Sequence, residues 1–166
     1  ILFGSCAHQD KEMPILDSVI AEQPDLFIFL GDNIYGDTED MQVLANKYQK
    51  LGANPRFQKL KASTELVAIW DDHDYGENDA GAEYPQKEAS RAIMLDFWGE
   101  PLDSARRRRE DGIYTSYLYG DGGQRVQIIL PDLRWNRPAV EEVSILTYMI
   151  DRKLKDMGPY SKHPDP

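Results

Sequence analysis

The sequence predicts an α/β domain built on a mixed, mostly parallel sheet with flanking helices. Three observations lead there. Short apolar runs of strand length recur at residues 1–6, 26–30 and 65–70. Stretches with helical spacing separate each run from the next. The second and third runs are apolar without alternation, as in strands covered on both faces.

Taken in order, "ILFGSC" (1–6) is an apolar run stopped by Gly4 and Ser5 and reads as the first strand. "MPILDSVIAEQ" carries Ile15, Leu16, Val19 and Ile20 at helical spacing, and Pro24 closes it. In "DLFIFLGDN", Leu26 to Leu30 form the second strand, which completes a βαβ unit. Residues 38–62 read as helix interrupted near Gly52–Pro55, with Met41, Leu44, Ala45 and Tyr48 on one face. "ELVAIW" (65–70) is a further buried strand, and residues 85–98 form an amphipathic helix. "GIYTSYLYGDGGQRVQIIL" alternates on either side of "GDGG", which predicts a hairpin building the sheet edge. "PDLRWNRP" follows as a loop, then a helix from about Glu141 to Lys155 with Ile145, Tyr148, Met149 and Arg152 on one stripe. The turn-rich end, residues 157–166, reads as a flexible tail. Length fits one domain, 1–166.

Composition narrows the function. Asp and Glu number 29 against 19 Lys and Arg, a formal net charge of −10. Such an acidic chain is not expected to bind nucleic-acid backbones, and no nucleic-acid-binding domain is predicted. The one basic run, Arg106–Arg109, is followed by Glu110 and Asp111 and reads as a solvated loop, with a phosphate-facing patch as the sharper alternative. No apolar run approaches the roughly 20 residues a membrane span needs, so no transmembrane segment is expected. The single cysteine, Cys6, excludes an internal disulfide and is either a small buried residue or a reactive or metal-binding thiol.

The chemistry-bearing residues sit where the apolar strands stop. "FGSC" ends at Cys6; "FIFLGDNIY" ends at Asp32, with Asn33 and Tyr35 after it; "VAIWDDHD" ends at Asp71, Asp72 and His73. In an open parallel sheet the carboxyl ends of the strands converge on one crevice, where ligands bind. Singly, each has a plain reading: Asp32 as a helix cap, Cys6 as core filler, Tyr35 as cover for the sheet edge, Asp71 and Asp72 as turn residues. Jointly, several carboxylates at one edge repel one another, and these three segments hold no lysine or arginine. A multivalent cation removes that conflict.

"FGSC", "LGDNIYGD" and "WDDHDYGEND", in this order and at strand ends, resemble the PhoD-type alkaline phosphatase/phosphodiesterase family of metallophosphoesterases; "DGIYTSYLYG" and "DLRWNR" fit it too. The resemblance runs from Ile1 to about Arg137 and implies half of an αββα sandwich. It implies that Cys6, Asp32 and Tyr35 hold a ferric ion and that Asp32 bridges to a second metal, calcium, with other divalent ions as substitutes. Asp72 or Asp71, with Asn78, are the candidates for that second ion, since calcium prefers oxygen donors. His73 becomes the catalytic imidazole beside the phosphoryl group, and Arg134 a substrate contact. The implied activity is hydrolysis of phosphate mono- or diesters by a metal-activated hydroxide at a binuclear site. Family habit implies an extracytoplasmic location, periplasmic or secreted.

Two features depart from that pattern. A later Gly-Asp-x-His-like segment does not occur; the sole later histidine, His163, has no strand before it. The family's Leu-Leu-Asp-x-Arg is here "ILPDLR", where Pro131 removes a backbone donor. The chain therefore reads as the N-terminal half of a catalytic domain, with exposed apolar surface for a missing C-terminal half or an oligomer partner. Two other classes compete: a non-catalytic metal-binding fragment or partner-dependent module with an incomplete site, and a flavodoxin-like phosphate sensor, which gives Cys6 and Tyr35 no task.

Overall fold

The computed structural model describes residues 1–142, 144, 146, 147, 149, 150, 161 and 162. Strands β1 (Leu2–Gly4), β2 (Leu26–Leu30) and β3 (Glu65–Ile69) form a parallel sheet in that order, with Phe3 opposite Ile28 and Ile28 opposite Val67. Helix α1 (Ile15–Ala21) links the first pair. Helices α2 (Met41–Ala53) and α3 (Pro55–Ser63) link the second. The expected break between them has a specific cause. Asn54 ends α2 and its side chain caps α3, accepting from the N–H groups of Arg56 (2.9 Å) and Phe57 (3.2 Å), while Pro55 opens the new helix.

Helix α5 (Lys87–Phe97) packs on α2 and completes the aromatic core. Phe29 of β2 meets Phe57 at 5.9 Å and Trp98 at 5.0 Å, and Tyr48 meets Phe97 at 4.8 Å between ring centres. Burial of β2 on both faces, with Leu26 to Phe29 all enclosed, follows its uninterrupted apolar run.

The hairpin formed by β4 (Thr115–Tyr119) and β5 (Val126–Leu130) corrects one expectation. It is a separate antiparallel sheet and does not extend the parallel one. Side chains join the two: Tyr119 donates to Glu65 (2.7 Å), and Tyr117, Tyr119 and Ile128 pack on the core. Pro131 falls just after β5, so its missing donor costs no ladder bond. On the hairpin's outer side Leu118 and Ile129 are exposed, as are Phe3 on edge strand β1 and Ile15.

The arginine run is not a solvated loop, nor does it form a phosphate-facing patch. Arg106, on the short helix α6 (Ala105–Arg108), is buried. Its guanidinium donates to the carbonyls of Ile113 and Ala68, both at 2.9 Å, and to Glu100 at 3.2 Å. Arg107 pairs with Asp96 at 2.7 Å, and Arg109 lies over the Tyr114 ring. A guanidinium can be enclosed because its planar fork of donors meets a carboxylate and free carbonyls together.

The helix expected from about Glu141 begins later. Glu141 and Glu142 are extended and pair with Ser161 and Lys162, whereas residues 146, 147, 149 and 150 are helical. Its continuation to Lys155 and the rest of the tail lie outside the described residues. Among the described residues, no helix is long and apolar enough to cross a membrane.

Replacing Arg106 by alanine would strand two carbonyls and Glu100 in the interior. The expected loss is about 3 kcal/mol or more, with Arg106→Lys recovering only part of it; urea unfolding midpoints of the two variants measure this.

Candidate metal centre

The three strand ends meet as their sequences require. The Cys6 N–H donates to the Gly31 carbonyl at 3.1 Å, tying the end of β1 to that of β2. Gly31 has φ +106°, and a Cβ there would lie 2.6 Å from Asp71 Cβ, so only glycine lets the end of β2 approach the end of β3. Beyond it, Cys6, Asp32 and Asp37 take left-handed backbone angles of 61°, 51° and 45°. Such angles strain residues other than glycine and persist where surrounding bonds fix them.

Those bonds centre on Asp74, which is fully buried on the one-turn helix α4 (Asp72–Tyr75). Its carboxylate accepts from the N–H groups of Asp71 (2.7 Å), Asp32 (3.2 Å) and Asn33 (3.1 Å). It accepts also from the Asn33 side chain (2.5 Å), which in turn donates to the Ile69 carbonyl (2.8 Å). Backbone bonds cross-link the two loops: Gly36 N–H to His73 O and Thr38 N–H to Gly76 O, both 2.8 Å. Lys47 clamps the Tyr35 and Gly36 carbonyls at 2.8 and 2.6 Å, and Gln9 accepts from the Tyr35 N–H at 2.9 Å.

On this frame Asp32, Asp72 and His73 bring potential ligand atoms within 4.8 Å of one another. The Cys6 thiol donates to Asp32 at 3.5 Å and is exposed, not core filler. Tyr35 stacks between His8, 4.6 Å away, and His73, 4.4 Å away. His73 Nδ1 lies 2.7 Å from an Asp37 carboxylate oxygen. Asp72 accepts from the Asp79 N–H at 2.8 Å. Asp32 does not cap the following helix; Asp40 does, accepting from Gln42 and Val43.

Asp71 stands apart from that group. It caps α4 in a reciprocal box with Asp74 and accepts from Arg134 Nε at 2.5 Å; Arg134 Nη2 is 3.9 Å from Asp72. The three acidic segments carry no base of their own, but the fold brings one from residue 134. Asp132 aims it, accepting from the N–H groups of Arg134 (2.9 Å) and Trp135 (3.0 Å) and from Trp70 Nε1 (2.9 Å). Asn78 is exposed and donates to Asp79 at 3.1 Å, outside the Asp32–Asp72–His73 group.

Electrostatics follow the geometry. Burial, then the charges of Asp72 and Asp71, raise the Asp32 carboxyl above its ordinary value, against the Cys6 thiol and His73. Burial would raise Asp72 too, but the Asp79 N–H, Arg134 and His73 outweigh it and hold it low. Burial works against the His73 cation, yet Asp37, with Asp72 and Asp32, raises its pKa. Burial, Cys6 and the nearby aspartates push the Tyr35 phenol up to about 12.

Two polar atoms here are buried without a partner: Asp32 Oδ1 and Arg134 Nη1. Enclosed polar groups are rarely left so, and the pair leaves one acceptor and one donor with unused bonding capacity at the strand ends. The donor set of thiol, carboxylates, phenol and imidazole fits a transition metal or a paired cation site.

Sequence reading missed Asp37, His8 and Asp74. Asp37 closes the "GDNIYGD" segment four residues before Met41 opens α2, and that placement was the available signal; Asp74 looked like one more acid in a polar run.

The comparisons bear on this arrangement. A parallel α/β sheet with ligand-bearing strand ends defines a class of fold that many enzymes use. A solved structure, that of PhoD, shares it: the match has a TM-score of 0.60 at 19% identity, covering 82% of this chain and 31% of that one. No family model matches this chain, and no curated protein does either. The chain thus has the fold of part of PhoD and spans under a third of that protein's length.

Asp74→Ala would leave the backbone N–H groups of Asp71, Asp32 and Asn33 without this acceptor in the interior and should cost about 3 kcal/mol or more. Burial also pushes the Asp74 carboxyl up to about 8, so ionisation is harder in the fold than in the unfolded chain. Its stabilising contribution is complete below the ordinary 3.8 and is lost as pH rises through about 8. Unfolding midpoints of the metal-free protein should decline over that window, and Asp74→Asn should flatten the profile.

Proposed function

We propose that this chain forms part of a metal-dependent phosphoesterase acting on phosphate mono- or diesters. The observation that carries the reading is the unpartnered, buried Oδ1 of Asp32, a residue whose carboxylate brings a ligand atom within 4.8 Å of those of Asp72 and His73. The shared fold with PhoD supports it. Cys6, Asp32 and Tyr35 would hold a ferric ion, whose high charge suits anionic sulfur and phenolate donors. Asp32 and Asp72 would hold a second ion, calcium, which prefers oxygen donors. Bound there, the ions would supply Lewis acidity and a lowered pKa for water.

The protein's own contribution is placement. Arg134 offers its free Nη1 to a phosphoryl oxygen while its Nε stays with Asp71. Asp132 and the Trp70–Trp135 stack, 6.2 Å between centres, hold that arm at the end of β3. His73, its pKa raised, presents a proton where negative charge accumulates on the leaving oxygen. Asp74 keeps Asp32 in its left-handed conformation, so the carboxylate does not reorganise when a cation arrives.

A second reading rests on coverage. Because the chain spans 31% of the PhoD chain, it would alternatively be a metal-binding module whose site is completed by other residues.

Equilibrium dialysis against iron and calcium, visible absorption and turnover of a chromogenic phosphodiester separate these. The first reading expects a phenolate-to-iron band lost in Tyr35→Phe and turnover reduced more than about a hundredfold in Asp32→Asn. Cation binding without turnover favours the second; no cation binding at all rejects both.

A further inference from the structure

Tyr35 lies between β2 and α2, where neither strand nor helix holds the chain. Its main chain is nevertheless engaged at each polar group. The Tyr35 N–H donates to Gln9 Oε1 at 2.9 Å, and the Tyr35 carbonyl accepts from Lys47 Nζ at 2.8 Å and from Gln9 Nε2 at 3.5 Å. The Gly36 carbonyl accepts from the same ammonium at 2.6 Å, and the Gly36 N–H donates to the His73 carbonyl at 2.8 Å. Two side chains from outside the loop thus meet three of these four successive groups, a task that a sheet ladder or helix performs elsewhere. Gln9 is only 4% exposed and comes from the loop after β1, three residues past Cys6. Lys47 is half-buried and comes from the second turn of α2.

We propose that Gln9 and Lys47 are positioning residues for Tyr35: gripping its main chain from two elements, they fix where the phenol stands, between the imidazoles of His8 and His73, before any cation is bound. A backbone held at both N–H and carbonyl fixes the Cα–Cβ bond and leaves the side chain only its χ rotations. The flanking rings oppose those, His8 at 4.6 Å with 20° between planes and His73 at 4.4 Å with 35°. Each gripping group suits its task. The Gln9 amide carries an acceptor and a donor on one planar group, so it meets both polar groups of one residue as a neighbouring strand would. The Lys47 ammonium has three donors and serves two carbonyls at once. Because Gln9 belongs to the loop that carries Cys6, the grip also ties the thiol-bearing loop to the phenol-bearing one. Ligand atoms placed in advance by such partners need no reordering when the group they hold arrives.

The use of Tyr35 as an iron ligand rests on the function proposed above; its placement does not. Proton NMR of the metal-free chain reads the placement, because the face of the phenol ring shifts the imidazole protons of His8 and His73 upfield, and Tyr35→Leu supplies the unshifted reference. Lys47→Met keeps the stem and removes the donors, so both imidazole signals should move toward that reference. Lys47→Arg, whose guanidinium can serve two carbonyls, should keep them near their native positions. Gln9→Leu should act as Lys47→Met does. Native signals already at the Tyr35→Leu reference, or signals unchanged in Lys47→Met, overturn the assignment. With iron(III) added, the phenolate band should titrate about 10- to 100-fold more weakly in Lys47→Met and recover in Lys47→Arg. If the imidazole signals follow Lys47 and Gln9 while no preparation shows the band, the ferric reading of Tyr35 fails and the positioning role stands.

Discussion

Everything at the strand ends hangs on one buried carboxylate. Asp74 collects donors from Asp71, Asp32 and Asn33, which belong to the ends of two different strands. Among the described residues no cationic side chain pairs with it, and oriented N–H groups are what oppose the burial that raises its pKa. Since the Asn33 side chain also donates to the Ile69 carbonyl, the same network holds the end of β3. An apolar residue at position 74 would avoid burying a carboxyl but would leave those donors facing nothing. The acid is tolerated because the surrounding backbone is arranged to need it.

That arrangement creates a division of labour among acids that the sequence shows as one run. Asp71 caps and pairs with Arg134, Asp74 organises, and Asp72 remains with Asp32 and His73. Neighbours in sequence thus have opposite electrostatic fates: Asp72 is held below the ordinary carboxylate range and Asp74 is driven above it. The difference is access to Arg134 and to water, not residue type.

Much of the fold was legible because apolar runs and helical spacing are local signals. β2 and α5 appear in the sequence nearly as they appear in space, and the break at Gly52–Pro55 was visible from Pro55, although the shared cap on Asn54 was not. The convergence of Cys6, Asp32 and Asp72 was legible from topology, since parallel strands place their carboxyl ends together. What stayed hidden depends on long-range partners. Arg106 reads as one of four surface arginines until the Ala68 carbonyl, 38 residues away, is known to face it. Arg134 reads as a substrate contact, but its pairing with Asp71, 63 residues away, shows only in the fold. The hairpin's alternation was correct, but alternation says nothing of which sheet a hairpin joins.

The paired backbone bonds between residues 36 and 73 and between 38 and 76 have a mechanical consequence. Two loops stapled main chain to main chain cannot hinge separately, so they travel as one plate. A guest that touches either loop must accept the placement of both, and whatever loosens one slackens its twin. Selectivity in such a recess would come from shape held in advance, with little give for misfitting visitors.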